Sequence, residues 1–179
     1  MAKIDTTQWK EFYVKELFET IKNGKQVPTG ANIPIVELTE DGNIPRISVT
    51  GINNGVLGYF DYKGKSQNYR IYNNFISVSF LGTVFYHSGD ATLDMKVHCL
   101  KPRHIKLNKY TGAFLVTAIK SSLRQSSYAD QISSSLLPNM KLFLPVNSAG
   151  EPDWSYMDNY MKEVEKKVQE QMQGLKNLC

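Results

Sequence analysis

The sequence predicts an α+β protein: a mixed, mostly antiparallel sheet domain with flanking helices, followed by a long C-terminal helix of coiled-coil type. Three observations lead there. Between residues 44 and 102, β-branched and aromatic residues are dense, and turn signals recur about every ten residues. Residues 110–128 carry one apolar helical face. The last 29 residues carry an apolar stripe at Met157, Met161, Val164, Val168, Leu175 and Leu178, with steps of 4, 3, 4, 7 and 3. That is a heptad rhythm, narrower than the stripe of a helix lying flat on its own domain, and it calls for a partner.

In chain order, "WKEFYVKELFETIKNGK" alternates at Phe12 and Val14 and then takes a helical step through Leu17, Phe18 and Ile21. It reads as a short strand entering a short helix that stops at Asn23-Gly24. Residues 26–43 form a loop rich in Pro, Gly and Thr. "IPRISVTGINNGVLGYF" predicts two strands, Ile44 to Val49 and Val56 to Phe60, joined by a tight turn at Asn54-Gly55. Phe75 to Phe80 and Val84 to Tyr86 are strands broken at Gly82, and "MKVHCLKP" is a further strand ended by Pro102. Phe114, Leu115, Ala118, Ile119 and Leu123 share one face of the following helix. "KLFLPV" is the last strand, and Gly150 to Asp153 form a hinge into the tail helix, with Pro152 suited to its first turn and the acidic pair to its positive end.

A chain of 179 residues can bury one good core, so one globular domain plus a tail is expected. No apolar run reaches membrane-spanning length, the start lacks a signal-peptide core, and two cysteines make no disulfide framework. A cytoplasmic protein with reduced thiols and no membrane partner is expected. Charge divides unevenly: residues 151–179 are net −2 and the remaining 150 are net +6. Between Asp94 and Asp130 no acidic residue occurs, while Lys96, Lys101, Arg103, Lys106, Lys109, Lys120 and Arg124 all fall there. Such a body either presents a polyanion-facing side or carries an ordinary solvated surface.

Covalent chemistry finds little support. His87, His98, Cys99 and His104 lack the spacing of a structural zinc site, and adjacent His98 and Cys99 on a strand point to opposite faces. Phosphate-binding glycine loops and the nucleophile elbow are missing, so no cofactor is expected. Asp94-Met95-Lys96, with Asp90 nearby, has the carboxylate–x–lysine spacing of metal-dependent DNA-cleaving enzymes. A strand-entry turn with Asp94 and Lys96 in solvent explains the same residues. The alternatives are thus an endonuclease using Asp90, Asp94 and Lys96, and a coiled-coil protein with no nucleic-acid role.

Polar side chains between strands suit DNA better. Arg46, Ser48 and Thr50 alternate with Ile47 and Val49 on a polar face, and Asn53 and Asn54 stand at the tip. Lys63, Lys65 and Arg70 lie in or beside the next connection, and Arg124, Gln125, Tyr128 and Gln131 follow the basic helix. Arg, Asn and Gln can pair with base edges, while Lys (Lys101 and Lys109 included), Ser and Thr suit phosphates. A plain turn at Asn54-Gly55 and a core role for Tyr128 remain open.

The ordered set "WKEFYVKELFETIKNGK", "GNIPRISVTGINNGVLGY", "ISVSFLGTVFYHSGDATLDMKVHCLKP" and "KLFLPVNSAGEPDWSYMDNYM" resembles the specificity (S) subunit of Type I restriction–modification systems, in half-length form. The resemblance implies a target recognition domain over residues 1–150 that reads half of a split site in double-stranded DNA. It implies that residues 151–179 are a conserved helix pairing antiparallel with the helix of a second half, here a second copy of the chain. Modification (methyltransferase) and restriction subunits would carry the chemistry. The tail spans only ~40 Å, and Gln171 and Gly174 interrupt its seam.

Overall fold

A computed structural model of the chain describes residues 5–30, 38–61, 70–125 and 132–176. Strand β1 (Trp9–Tyr13) enters helix α1 (Val14–Leu17), a single turn. The expected helix to Asn23-Gly24 does not form. Phe18 pairs with Pro102 and the Glu19 N–H donates to the Lys101 carbonyl at 2.8 Å, so the backbone leaves the helix for strand-like partners. Lys22, Asn23 and Gly24 take positive φ in a hairpin turn that closes Ile21 on Gln26.

Five strands form the main sheet, in the order β3-β2-β5-β4-β6. They are β2 (Ile44–Ile47), β3 (Val56–Phe60), β4 (Tyr72–Ser79), β5 (Val84–Leu93) and β6 (Val97–Leu100). All neighbours are antiparallel except β2 and β5, which run parallel through Arg46–Thr92 and Ile47–Leu93. The last strand, β7 (Lys141–Pro145), pairs with β1 in a separate two-stranded sheet. The mixed, mostly antiparallel α+β architecture is therefore the one predicted.

Strand β5 outruns its expected end at Tyr86 and curls. The Thr83 hydroxyl, just before it, donates to the Val49 carbonyl, and the Asp94 N–H, just after it, donates to the Ile47 carbonyl at 2.7 Å. Ten extended residues would separate these ends by roughly 30 Å, so the strand must bend back on the 47–49 segment. The bend falls at exposed Ser88, Gly89 and Asp90, where the register against β4 shifts and Asn74 takes a positive φ. Buried Asn74 holds the bulge: its amide donates to the Leu107 carbonyl and the Tyr86 hydroxyl, and its carbonyl accepts the Leu107 N–H.

Curling gives the sheet two apolar sides. Ile47, Phe75, Ala91, Leu93, Val97 and Cys99 pack on its inner side. Ile76, Val78, Val84 and Leu100 face the larger core, built with helix α2 (Lys109–Gln125), β7 and helix α3 (Trp154–Lys176). The face expected of α2 is the one buried, and Gly112 lets the helix lie close on the Tyr86 ring, where a Cβ would stand 2.6 Å away. Asn108 caps α2, accepting the Tyr110 and Thr111 N–H groups at 2.8 and 3.0 Å.

Two histidines are buried in this sheet. Burial pushes His87 down to about 4, its Nε2 2.9 Å from the Ser77 hydroxyl and its ring stacked on Phe75. His98 is lowered by burial too, offset in part by its bond to the Ile132 carbonyl. Below pH 6.5 the unfolded chain takes up protons that the folded chain refuses until about pH 4. Stability should therefore fall as pH drops through that window, by up to about 1.4 kcal/mol per pH unit from His87, with His98 acting in the same direction. His87→Gln should flatten the fall of the urea midpoint between pH 6.5 and 4; an unchanged slope would clear His87 of the effect.

Candidate nucleic-acid interface and the projecting helix

The bend in β5 gathers three turns, residues 48–55, 79–83 and 94–96, at one end of the sheet. Ser79 organises the middle turn: its hydroxyl oxygen accepts the Leu81 and Thr83 N–H groups at 3.2 and 3.1 Å and lies 2.7 Å from the Thr83 hydroxyl. The Phe80 N–H donates to the Lys96 carbonyl at 2.9 Å, joining that turn to the third. In the first turn Asn53, Asn54 and Gly55 all take positive φ, so the connection is longer than the expected tight turn. The Asn54 amide donates to the Tyr86 carbonyl at 3.3 Å and Gly55 packs on the Phe85 ring, which closes the loop over β5.

Cations stand around this end. Lys96 lies over the Phe80 ring at 4.5 Å and Lys120 of α2 over Phe85 at 5.5 Å; exposed Arg124 follows one turn later. Ammonium groups held over aromatic rings, an exposed guanidinium and exposed Asn53 can pair with phosphates and base edges.

The predicted residues divide accordingly. Thr50, Asn53, Asn54 and Arg124 share this region of the molecule. Arg46 and Ser48 do not present the polar face expected of them. Arg46 is 6% exposed and donates to Asp94 Oδ1 at 2.9 Å, while Ser48 bonds within its own loop. The physical reason is that β2 is buried on both faces, with Ile44 and Arg46 on one and Ile47 on the other, so alternation leaves no free face. Arg70 precedes β4 and hydrogen-bonds Tyr72. Lys101 sits 3.8 Å from Glu19, away from the three turns. Lys63, Lys65, Tyr128 and Gln131, with the Gln125 side chain, lie outside the described residues.

The metal-nuclease constellation does not assemble. Asp90 accepts the Asn73 amide at 2.7 Å, Asp94 Oδ1 is taken by Arg46 and by the Met95 N–H, and Lys96 turns onto Phe80. Among the described residues no three His, Cys, Asp or Glu groups come together as metal ligands. Burial pushes the Cys99 thiol up, and it packs on the inner side of the sheet.

Helix α3 starts inside the domain. Asp153 caps it by accepting the Tyr156 N–H at 2.8 Å, and the expected hinge is a structured turn bridging Val146 and Pro152. Met157, expected on the partner seam, is 0% exposed in the chain's own core, and Met161 packs against that core. The apolar face of the first turns is spent on α2 and the small sheet. A polar clasp fixes the exit. The Asn108 amide donates to Asp158 at 2.7 Å, and Lys109 and the Tyr110 hydroxyl both reach Glu165 at 2.8 Å. Those bonds hold Lys109 above and Glu165 below their ordinary ranges. Lys109 is therefore engaged by the tail. From residue 166 to 174 every side chain is exposed, Val168 and Met172 included, and Val164 lines an apolar groove with Trp9, Phe114, Phe143 and Tyr160. The Leu175 side chain and Leu178 lie outside the described residues.

The model of the Type I restriction modification DNA specificity domain matches residues 6–173. The chain belongs to that family. A curated relative, the specificity subunit S.BcgI of the Type II restriction enzyme BgcI from Heyndrickxia coagulans, is 28% identical over 171 residues, covering 94% of this chain and 47% of that protein. Among solved structures, the S subunit of a Type I restriction-modification system from M. genitalium shares the fold at TM-score 0.54 and 15% identity, over 96% of this chain and 44% of that one. The HsdS subunit from Thermoanaerobacter tengcongensis does so at 0.53 and 12%, over 93% and 40%. The chain thus spans about half the length of the relatives it matches.

Within this specificity domain, Asn108, Tyr110, Asp158 and Glu165 of the clasp were not singled out from sequence, Lys109 was read as a phosphate contact, and Lys120 was read only as part of the basic stretch. Asn108-x-x-Thr111 carried a legible cap signal; the Asp158 and Glu165 partners did not, because they lie some 50 residues away. No helix among the described residues is long and apolar enough to cross a membrane. Asp94→Asn should cost about 1.5–3 kcal/mol by weakening the buried Arg46 pair, and Arg46→Met should cost a comparable amount without altering which DNA is preferred. Urea unfolding and a binding competition check both; an altered preference in Arg46→Met would return that residue to base readout.

Proposed function

We propose that this chain is the sequence-specific DNA-recognition subunit of a restriction–modification system, reading one half-site of duplex DNA and docking modification and restriction subunits that carry the catalysis. The observation that carries the proposal is the gathering of Thr50, Asn53, Lys96, Lys120 and Arg124 around one end of a specificity-domain fold. Residues 1–150 form the recognition part, and residues 151–179 pair it with a second copy. Exposed Val168 and Met172 continue the seam beyond the clasp. Asp158, Glu163 and Glu165 fall in the first half of α3, and Lys166, Lys167 and Lys176 in the second, so antiparallel helices would set opposite charges side by side.

Selection of bound sequences from a random duplex pool, with the purified chain and with its methyltransferase partner, tests the proposal. Two inverted half-sites at a fixed gap are expected, and recovery of no preferred sequence would reject it. With about five phosphates contacted, log K should fall against log[salt] with a slope near −4 to −5, and Lys120→Ala should reduce that slope by about one. Val168→Asp combined with Met172→Asp should convert a dimer into a folded monomer in sedimentation, since both side chains lie outside the core. A parent that is monomeric at tens of micromolar would assign the seam to a different subunit.

A further inference from the structure

The three most exposed large apolar side chains among the described residues are Ile52 (77%), Leu81 (65%) and Met95 (63%). They are distant in sequence, yet each stands on one of the three turns at the candidate interface. Gly51 packs towards Thr83, which brings the Ile52 turn onto the Leu81 turn. The pairing of Ser79 with Val97 continues through Phe80 and Lys96, which puts Leu81 beside Met95. Single exposed apolar residues need no explanation, but three on adjoining turns make a patch.

Each of the three is held by the same device. The Ile52, Leu81 and Met95 N–H groups donate to side-chain oxygens of Thr50, Ser79 and Asp94 at 3.4, 3.2 and 2.8 Å. The turns are thereby fixed before any ligand arrives, which lowers the ordering cost of binding. Charge selects the ligand class. Lys96, Lys120 and Arg124 stand around this end, and the nearby carboxylate of Asp94 is already occupied by Arg46 and the Met95 N–H. A polyanion with apolar groups on an accessible edge fits. The major groove of duplex DNA offers one such group, the 5-methyl of thymine.

We propose that Ile52, Leu81 and Met95 are specificity-determining prongs that contact thymine 5-methyl groups in the major groove of the half-site. The inference rests on the proposed recognition function and deepens it by naming a chemical feature of the target. Thymine-to-uracil replacement removes only that methyl. In the selected half-site, replacement at a contacted position should weaken binding of the full-length chain about 4-fold, the value of one buried methyl group. Ile52→Ser, Leu81→Ser or Met95→Ser should weaken the thymine site similarly and abolish the uracil penalty at its own position, while thermal melting remains that of the parent.

Outcomes separate the two ideas. Failure to select any half-site would overturn the recognition function and this inference with it. A selected half-site without A·T pairs, or one whose binding ignores both uracil and all three serine variants, would overturn the inference alone. Variants that bind DNA as the parent does but lose the methyltransferase subunit would reassign the patch to protein docking and overturn the inference too.

Discussion

The return of β5 onto the segment 47–49 is the constraint on which the rest of the domain depends. Its two ends are tied through Thr83 to Val49 and through Asp94 to Ile47. Without that closure β2 would have no parallel neighbour, and the inner apolar side around Phe75 and Leu93 would open to water. Arg46 and Asp94 sit at the closing point. A buried guanidinium is tolerable there because a carboxylate meets it, and the pair binds the edge of β2 to the turn after β5. The same closure converts three separate turns into one surface. The shape of this surface is therefore a consequence of strand geometry before it is a property of individual side chains.

The clasp at the start of α3 is the second constraint, and it acts on direction. Met157 in the core fixes where the helix begins, while Asn108–Asp158 and the bonds of Lys109 and Tyr110 to Glu165 fix the line along which it leaves. These are exposed polar contacts, so each alone contributes little to stability. Their shared effect is to join the first three turns of α3 to α2 as one body. The clasp also takes Lys109 out of the field of the basic stretch, because its charge is matched by Glu165.

How much of this was legible follows from what each signal measures. Alternation and turn residues located β3, β4, β6, α2 and β7, whose buried faces are set by local pattern. They failed at β5 beyond Tyr86, because "GDATL" becomes strand through distant partners, Asn73 and Tyr72 of β4 and, some 46 residues earlier, Arg46 and Ile47 of β2. They failed after Leu17, where a helical spacing was overridden at Phe18 and Glu19 by backbone pairing to residues 102 and 101. Arg46 looked like a reader because period-two alternation cannot distinguish a solvent face from a second buried face. The spacing along α3 could not tell that its first apolar residues, Met157 and Met161, are committed to the chain's own core.

Holding the backbone and facing outward are divided among neighbouring residues of the three turns. Thr50, Ser79 and Asp94 turn their oxygens inward to hold the backbone, and Ser48, Asn54 and Thr83 bond to carbonyls of adjoining segments. Ile52, Leu81 and Met95 are exposed on the same turns, as is Asn53, whose amide donates to the Val56 carbonyl at 3.4 Å. Exchanging an inward residue releases a turn and moves the whole surface, whereas exchanging an outward one changes the chemistry offered to a ligand and leaves the curled sheet intact. A scaffold built this way can alter what it binds through single substitutions costing little stability. The outward side chains are then the ones least specified by the fold, which is why patterns that locate the core are silent about them.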